Sequence, residues 1–140
     1  MKKLSLAFFT IALIACKMDP DQSQDTVVLQ NWSIQNSGNK SVMVGYGDMI
    51  NQTGQTLSLV AVTSDQYADI QLHQTSLVDG MYRMQQLSAV ELPIAEKVTF
   101  KAGSLHLMLF EPTDILVSRQ IDLQFSFSDG STQAIVIAVD

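Results

Sequence analysis

From Thr26 onward the chain is a series of short runs rich in Val, Ile, Leu, Phe and Thr, none of which carries the 3.6-residue stripe of an amphipathic helix. The runs predict strands at Val27 to Gln35, Ser41 to Asn51, Thr56 to Thr63, Ile70 to Gln74, Met81 to Gln86, Lys97 to Lys101, Ser104 to Phe110, Gln120 to Phe127 and Thr132 to Val139. The breaks between them, such as Asn36-Ser37-Gly38-Asn39, Gln52-Thr53-Gly54, Val78-Asp79-Gly80 and Ser128-Asp129-Gly130, hold residues that tolerate positive φ or bond their own backbone. Alternation is clearest from Ile121 to Phe127, where Ile121, Leu123, Phe125 and Phe127 share one face and Asp122, Gln124 and Ser126 the other, as in a half-buried antiparallel strand. About nine strands at this spacing predict an all-β domain, either a β-sandwich or a small Greek-key barrel. Trp32, Tyr46 and Phe100 are its expected core anchors.

The first residues follow another logic. Lys2 and Lys3 precede an apolar run, Leu4 to Ala15, too short to span a bilayer, and Cys16 follows it as the chain's single cysteine. Leu13-Ile14-Ala15-Cys16 resembles the bacterial lipobox, which is cut before a cysteine that then carries lipid. The expected organisation is a lipoprotein signal peptide at 1–15, a lipidated Cys16 with a polar tether through Asp25, and one domain at 26–140. An ordinary secretory signal, or a short uncleaved anchor, is the alternative, and each reading exports the chain. The expected location is the bacterial cell envelope, on the periplasmic side and lipid-anchored to the membrane.

The full chain has a formal charge of −6, and cleavage before Cys16 would remove two lysines and leave −8. The remaining cations, among them Lys40, Arg83, Lys97, Lys101 and Arg119, are scattered, and a nucleic-acid footprint needs them gathered on one face. Nucleic acid is therefore not an expected partner.

Candidate chemistry concentrates in two places. In the Ser104 to Phe110 run, His106 and Met108 point to one face and Leu105, Leu107 and Leu109 to the other. His73, the other histidine of two, lies before a hairpin signal at Leu77-Val78-Asp79-Gly80, and Met84 lies after it. A four-residue loop would set His73 directly opposite Met84, and a two-residue Asp79-Gly80 turn would set them diagonally; both registers put them on one face. Two imidazole-thioether pairs can then converge if their elements meet at one end of a sandwich. Neutral thioethers with imidazoles favour Cu(I) over Zn²⁺, Mg²⁺ or Ca²⁺, and a blue-copper site would need a thiolate that the domain lacks. With both histidines so committed, and no Gly-rich phosphate loop or nucleophile elbow, the sequence offers no base-and-nucleophile arrangement, so no enzyme is expected; a hydrolase built on carboxylates paired in space is the remaining catalytic alternative. Of the other methionines, Met18 falls in the tether, and Met43, Met49 and Met81 are expected as core or rim residues.

The spacing His73-x10-Met84-x21-His106-x-Met108 is similar to the copper-binding motif of the PCu(A)C-type periplasmic copper chaperones. The similarity extends from about Trp32 to Val139: Tyr46 with Asn51 resembles a Tyr-x4-Asn strand end, Ala68 to His73 the run into the first histidine, and Gly103 to Leu109 the Gly-x-x-His-x-Met-Leu segment. Leu57-Ser58, Ala102 and Val117-Ser118-Arg119 depart from the family's usual residues, none at a ligand position. The resemblance implies a cupredoxin-like β-sandwich that holds Cu(I) at an exposed site of two His and two Met. It also implies delivery to an acceptor in the assembly of cytochrome oxidase copper centres, an oxidase subunit or a Sco-type protein, by a monomer. The rival expectations are a copper buffer or resistance lipoprotein with no dedicated acceptor, and a metal-free structural or adhesive β-sandwich.

Overall fold

The computed structural model describes residues 25–39, 41–113 and 119–138. The expected signal peptide and Cys16 lie outside the described residues, as do Lys17 to Gln24 of the tether and Val117-Ser118.

Ten strands are formed: β1 (Val27–Asn36), β2 (Val42–Asn51), β3 (Leu57–Thr63), β4 (Tyr67–Val78), β5 (Met81–Leu87), β6 (Val90–Leu92), β7 (Lys97–Phe100), β8 (Leu105–Pro112), β9 (Gln120–Phe127) and β10 (Thr132–Ala138). They make two sheets, one in the order β1-β2-β8-β4-β5 with β7 also paired to β2, the other in the order β10-β9-β3-β6. The pairings of both sheets are antiparallel. The chain passes repeatedly from sheet to sheet, and β8 returns late to fill the place between β2 and β4. This is an all-β, cupredoxin-like sandwich. β6 was not expected, because three residues are too few to show a period, and β4 runs well past both ends of the predicted Ile70 to Gln74.

The core lies between the sheets. Leu107, Leu109, Met49 and Phe100 from the first sheet face Leu59, Ile121, Leu123, Phe125 and Phe127 from the second, all buried. Each such side chain contributes about 1.5–3 kcal/mol of transfer free energy. The β9 alternation is borne out, with Asp122 and Gln124 exposed between buried neighbours.

β1 changes faces part-way. Val27 is buried and Leu29 packs on the core, yet farther along it is Trp32 and Ile34 that turn inward. A bulge between Gln30 and Ser33, with Asn31 at φ 57°, supplies the extra residue that reverses the parity. Trp32 thereby packs against Phe100 and Phe125, ring centroids 5.3 and 4.9 Å away, and its indole N–H donates to the Asp48 carbonyl at 3.2 Å. The bulge is pinned by the Asn31 amide, which donates to the Asp48 carboxylate at 2.9 Å. That bond, the Thr99 hydroxyl at 2.8 Å and the nearby Lys97 ammonium hold the Asp48 carboxyl below the usual carboxylate range.

Trp32 lies flat on Gly47. A Cβ there would come within 2.6 Å of Trp32 Cγ and Cε2, and Phe100 and Phe125 leave the ring little room to withdraw. Gly47→Ala is therefore expected to destabilise the fold by about 2–3 kcal/mol, the cost of overpacking a filled core. Thermal unfolding followed by circular dichroism should show a fall in Tm of roughly 10 °C. An unchanged Tm would mean that the indole has a second place to go.

Candidate metal site

The hairpin register decides how the first pair meets. Val78 pairs with Met81 across Asp79-Gly80, whose φ values of 51° and 75° are those of a two-residue type I′ turn. His73 then pairs with Gln86, and Met84 with Thr75, so His73 and Met84 are diagonal neighbours on one face of the β4–β5 hairpin. Met81 lies on the opposite face, at the hairpin tip, 57% exposed.

The second pair reaches the first by a route the sequence did not indicate. β4 pairs with β8, and in that register His73 stands directly opposite His106, ring centroids 5.8 Å apart, with Gln71 opposite Met108. The expected meeting of two elements at one end of the sandwich is thus replaced by adjacent strands of a single sheet. All four side chains lie on its outer face, since the alternate residues Leu72, Leu107 and Leu109 are in the core. Gly45 lets this sheet pack tightly, for a Cβ there would meet Leu107 Cβ at 3.1 Å.

A cleft of about 510 Å³ opens on this face, lined by Tyr46, Thr75, Met84, His106 and Met108 and walled by Gln35 to Asn39 at the β1–β2 turn. Tyr46, expected in the core, is instead half-buried on the wall of the cleft, because its partner across the β1 bulge is Ser33 on the outer face. The donor set is less open than the resemblance implied: His106 is only 5% exposed, while Met84, at the rim, is 56% exposed.

Hydrogen bonds assign the imidazole protons. The His106 Nδ1 lies 2.9 Å from the Ser104 carbonyl, which can only accept, so Nδ1 carries the hydrogen and, in the neutral ring, Nε2 is the nitrogen with the lone pair. The same carbonyl accepts from the Thr75 N–H at 3.0 Å, tying the ring to β4. Ser104 is placed by a turn in which its N–H bonds the Lys101 carbonyl and Gly103 takes φ 76°. His73 places Nε2 2.9 Å from Gln71 Oε1, and its Nδ1 is buried with no hydrogen-bond partner. Burial, and then the proximity of His106, push the His73 pKa below its ordinary value against the opposing pull of Asp69. A bare ring nitrogen kept neutral is what a metal ligand requires. Among the described residues no three His, Cys, Asp or Glu side chains gather to hold a metal, so a site here depends on the thioethers. Asp69, Gln71 and Ser104 fall within the runs that carry the resemblance, but the sequence assigned them no role of their own, although the i−2 spacing of Gln71 from His73 and of Ser104 from His106 was visible.

Residues 27–139 match the family described as "Putative lipoprotein LpqE-like". The chain belongs to this LpqE-like lipoprotein family. A relative from Leifsonia xyli subsp. xyli, named "Putative lipoprotein Lxx21020", is 26% identical over 97% of this LpqE-like chain and 82% of its own length. Among solved structures, the "Copper-bound PCuAC domain from PmoF2" is similar with a TM-score of 0.64 at 17% identity, over 81% of this chain and 92% of that one. The solution structure of apo-DR1885 from Deinococcus radiodurans is similar with a TM-score of 0.58 at 19% identity, over 100% and 96%. The LpqE-like chain thus shares its fold with PCuAC domains, in keeping with the resemblance carried by its motif.

Proposed function

We propose that this protein is a copper carrier of the cell envelope that binds Cu(I) through His73, Met84, His106 and Met108 and passes it to an acceptor protein. The observation that carries the reading is the pairing of His73 with His106 across β4 and β8, each with one ring nitrogen free, beside two thioethers on the same face. Two neutral imidazoles and two thioethers make a soft donor set suited to Cu(I). The likeness to a copper-bound PCuAC domain supports the same cargo.

Release follows from the gradient of exposure. Met84 at the rim is the donor an incoming ligand reaches first, and the buried His106 is the last to let go. A stepwise exchange of that kind never strands a bare ion, and the absence of a thiolate keeps each metal–ligand bond replaceable. The acceptor on this reading is a copper-centre assembly partner such as a cytochrome oxidase subunit or a Sco-type protein, and Cys16 is the lipid anchor that keeps the carrier at the membrane. The protein acts as a carrier and not as a catalyst.

X-ray absorption on the purified protein loaded with one equivalent of Cu(I) tests the site. The expected first shell mixes imidazole nitrogen and thioether sulfur. A shell of nitrogen and oxygen alone, or no retention of Cu(I) on desalting, would sink the proposal.

A further inference from the structure

The bare nitrogen of His73 is imposed by its neighbours along the strand. Asp69, Gln71 and His73 are alternate residues of β4 and share the outer face. A carboxylate can only accept, so the 2.6 Å contact between Gln71 Nε2 and Asp69 Oδ2 is a bond donated by the amide. That fixes the amide orientation and turns Oε1 toward the ring. Oε1 also can only accept, so His73 Nε2, 2.9 Å away, must carry the hydrogen, and Nδ1 is left with the lone pair. The register sets Gln71 opposite Met108, so the relay runs beside the donor set without belonging to it.

We propose that Gln71, oriented by Asp69, is a positioning residue that locks the His73 ring in the single orientation and tautomer whose bare Nδ1 is presented for metal binding. His106 is held by a backbone carbonyl that no side-chain substitution removes; His73 is held by a side chain, and a side chain held by another. His73 is therefore the adjustable half of the pair. Outer partners of this kind fix the tautomer and orientation of ligating histidines, and their loss lowers metal affinity by about 10–100-fold. The inference rests on the proposed ligand role of His73, and its test has a readout that needs no copper.

The experiment is ring ¹⁵N and ¹H NMR of His73 in the metal-free protein, for the wild type, Gln71→Leu and the double variant Asp69→Asn/Gln71→Glu, followed by competition with a chromophoric Cu(I) chelator. The wild type is expected to show one tautomer with a slowly exchanging Nε2–H. Gln71→Leu should lose that proton signal, average the two ring nitrogens and bind Cu(I) about 10–100-fold more weakly. The double variant Asp69→Asn/Gln71→Glu, in which the Asn amide can donate to one carboxylate oxygen while the other accepts from the ring, should stay close to the wild type in both. A wild-type ring protonated at Nδ1, or ring shifts unchanged in Gln71→Leu, would overturn the inference. Should the ring behave as expected while the wild type binds no Cu(I), the relay stands and the copper reading falls.

Discussion

His106→Ala is expected to weaken Cu(I) binding by at least about a hundredfold, equivalent to about 2.7 kcal/mol. His106 is 5% exposed, bonds the Ser104 carbonyl through Nδ1, and lines the cleft together with Met84 and Met108. Alanine removes that donor and opens the floor of the site to water, which competes poorly as a ligand for a soft cation. Met108→Leu, which keeps the volume and removes only the sulfur, should weaken binding by a smaller factor. Met81→Leu should change nothing, because Met81 projects from the other face of the hairpin. Chelator competition measures all three, and a His106→Ala protein with wild-type affinity would remove the site from this face.

The largest loss of stability is expected at Asn51. This side chain is fully buried, and its four hydrogen bonds hold three segments: Nδ2 donates to the carbonyls of Gln55 and Leu92, and Oδ1 accepts from the Thr53 N–H and hydroxyl. Its backbone adds bonds to Glu96 and Ala95, so the end of β2, the turn into β3 and the strap between β6 and β7 meet at one residue. Asn51→Ala leaves the Leu92 carbonyl without its 2.7 Å partner in the core and should cost about 3–4 kcal/mol. Asn51→Asp should be no better, since a carboxylate would face two carbonyl oxygens. Urea denaturation should show the midpoint falling with little change in slope. A loss below about 1 kcal/mol would mean that water replaces the amide without penalty.

Much of the sandwich was legible along the chain, and the exceptions have identifiable causes. β9 is regular, and every inward residue could be assigned from alternation alone. β1 and β3 are not regular. In β1 the bulge at Asn31 moves the inward positions from Val27 and Leu29 to Trp32 and Ile34, and in β3 a register shift between Leu59 and Ala61 moves them from Leu57 and Leu59 to Val62 while Val60 stays exposed. A fixed period of two cannot anticipate an inserted residue. Tyr46 was misplaced for a related reason: its aromatic ring suggested the core, while its strand position put it on the outer face beside the cleft.

The candidate site divides the same way. The shared face of His106 and Met108, and the shared face of His73 and Met84 across an Asp79-Gly80 turn, follow from local geometry and were fixed by the order of residues. The meeting of the two pairs was not. It depends on β8 entering between β2 and β4 and on the register that sets His73 opposite His106, a long-range antiparallel pairing chosen by how the whole sheet closes over its core. The proton positions are set by the Ser104 carbonyl and the Asp69–Gln71 relay, each only two residues from its partner; the spacing was legible, but the side-chain orientations that make the bonds were not. By itself the sequence determined which candidate donors this protein offers and which face of each element bears them. Only the tertiary structure decided that they stand together, since alternation assigns a face to a residue but does not name the strand beside it.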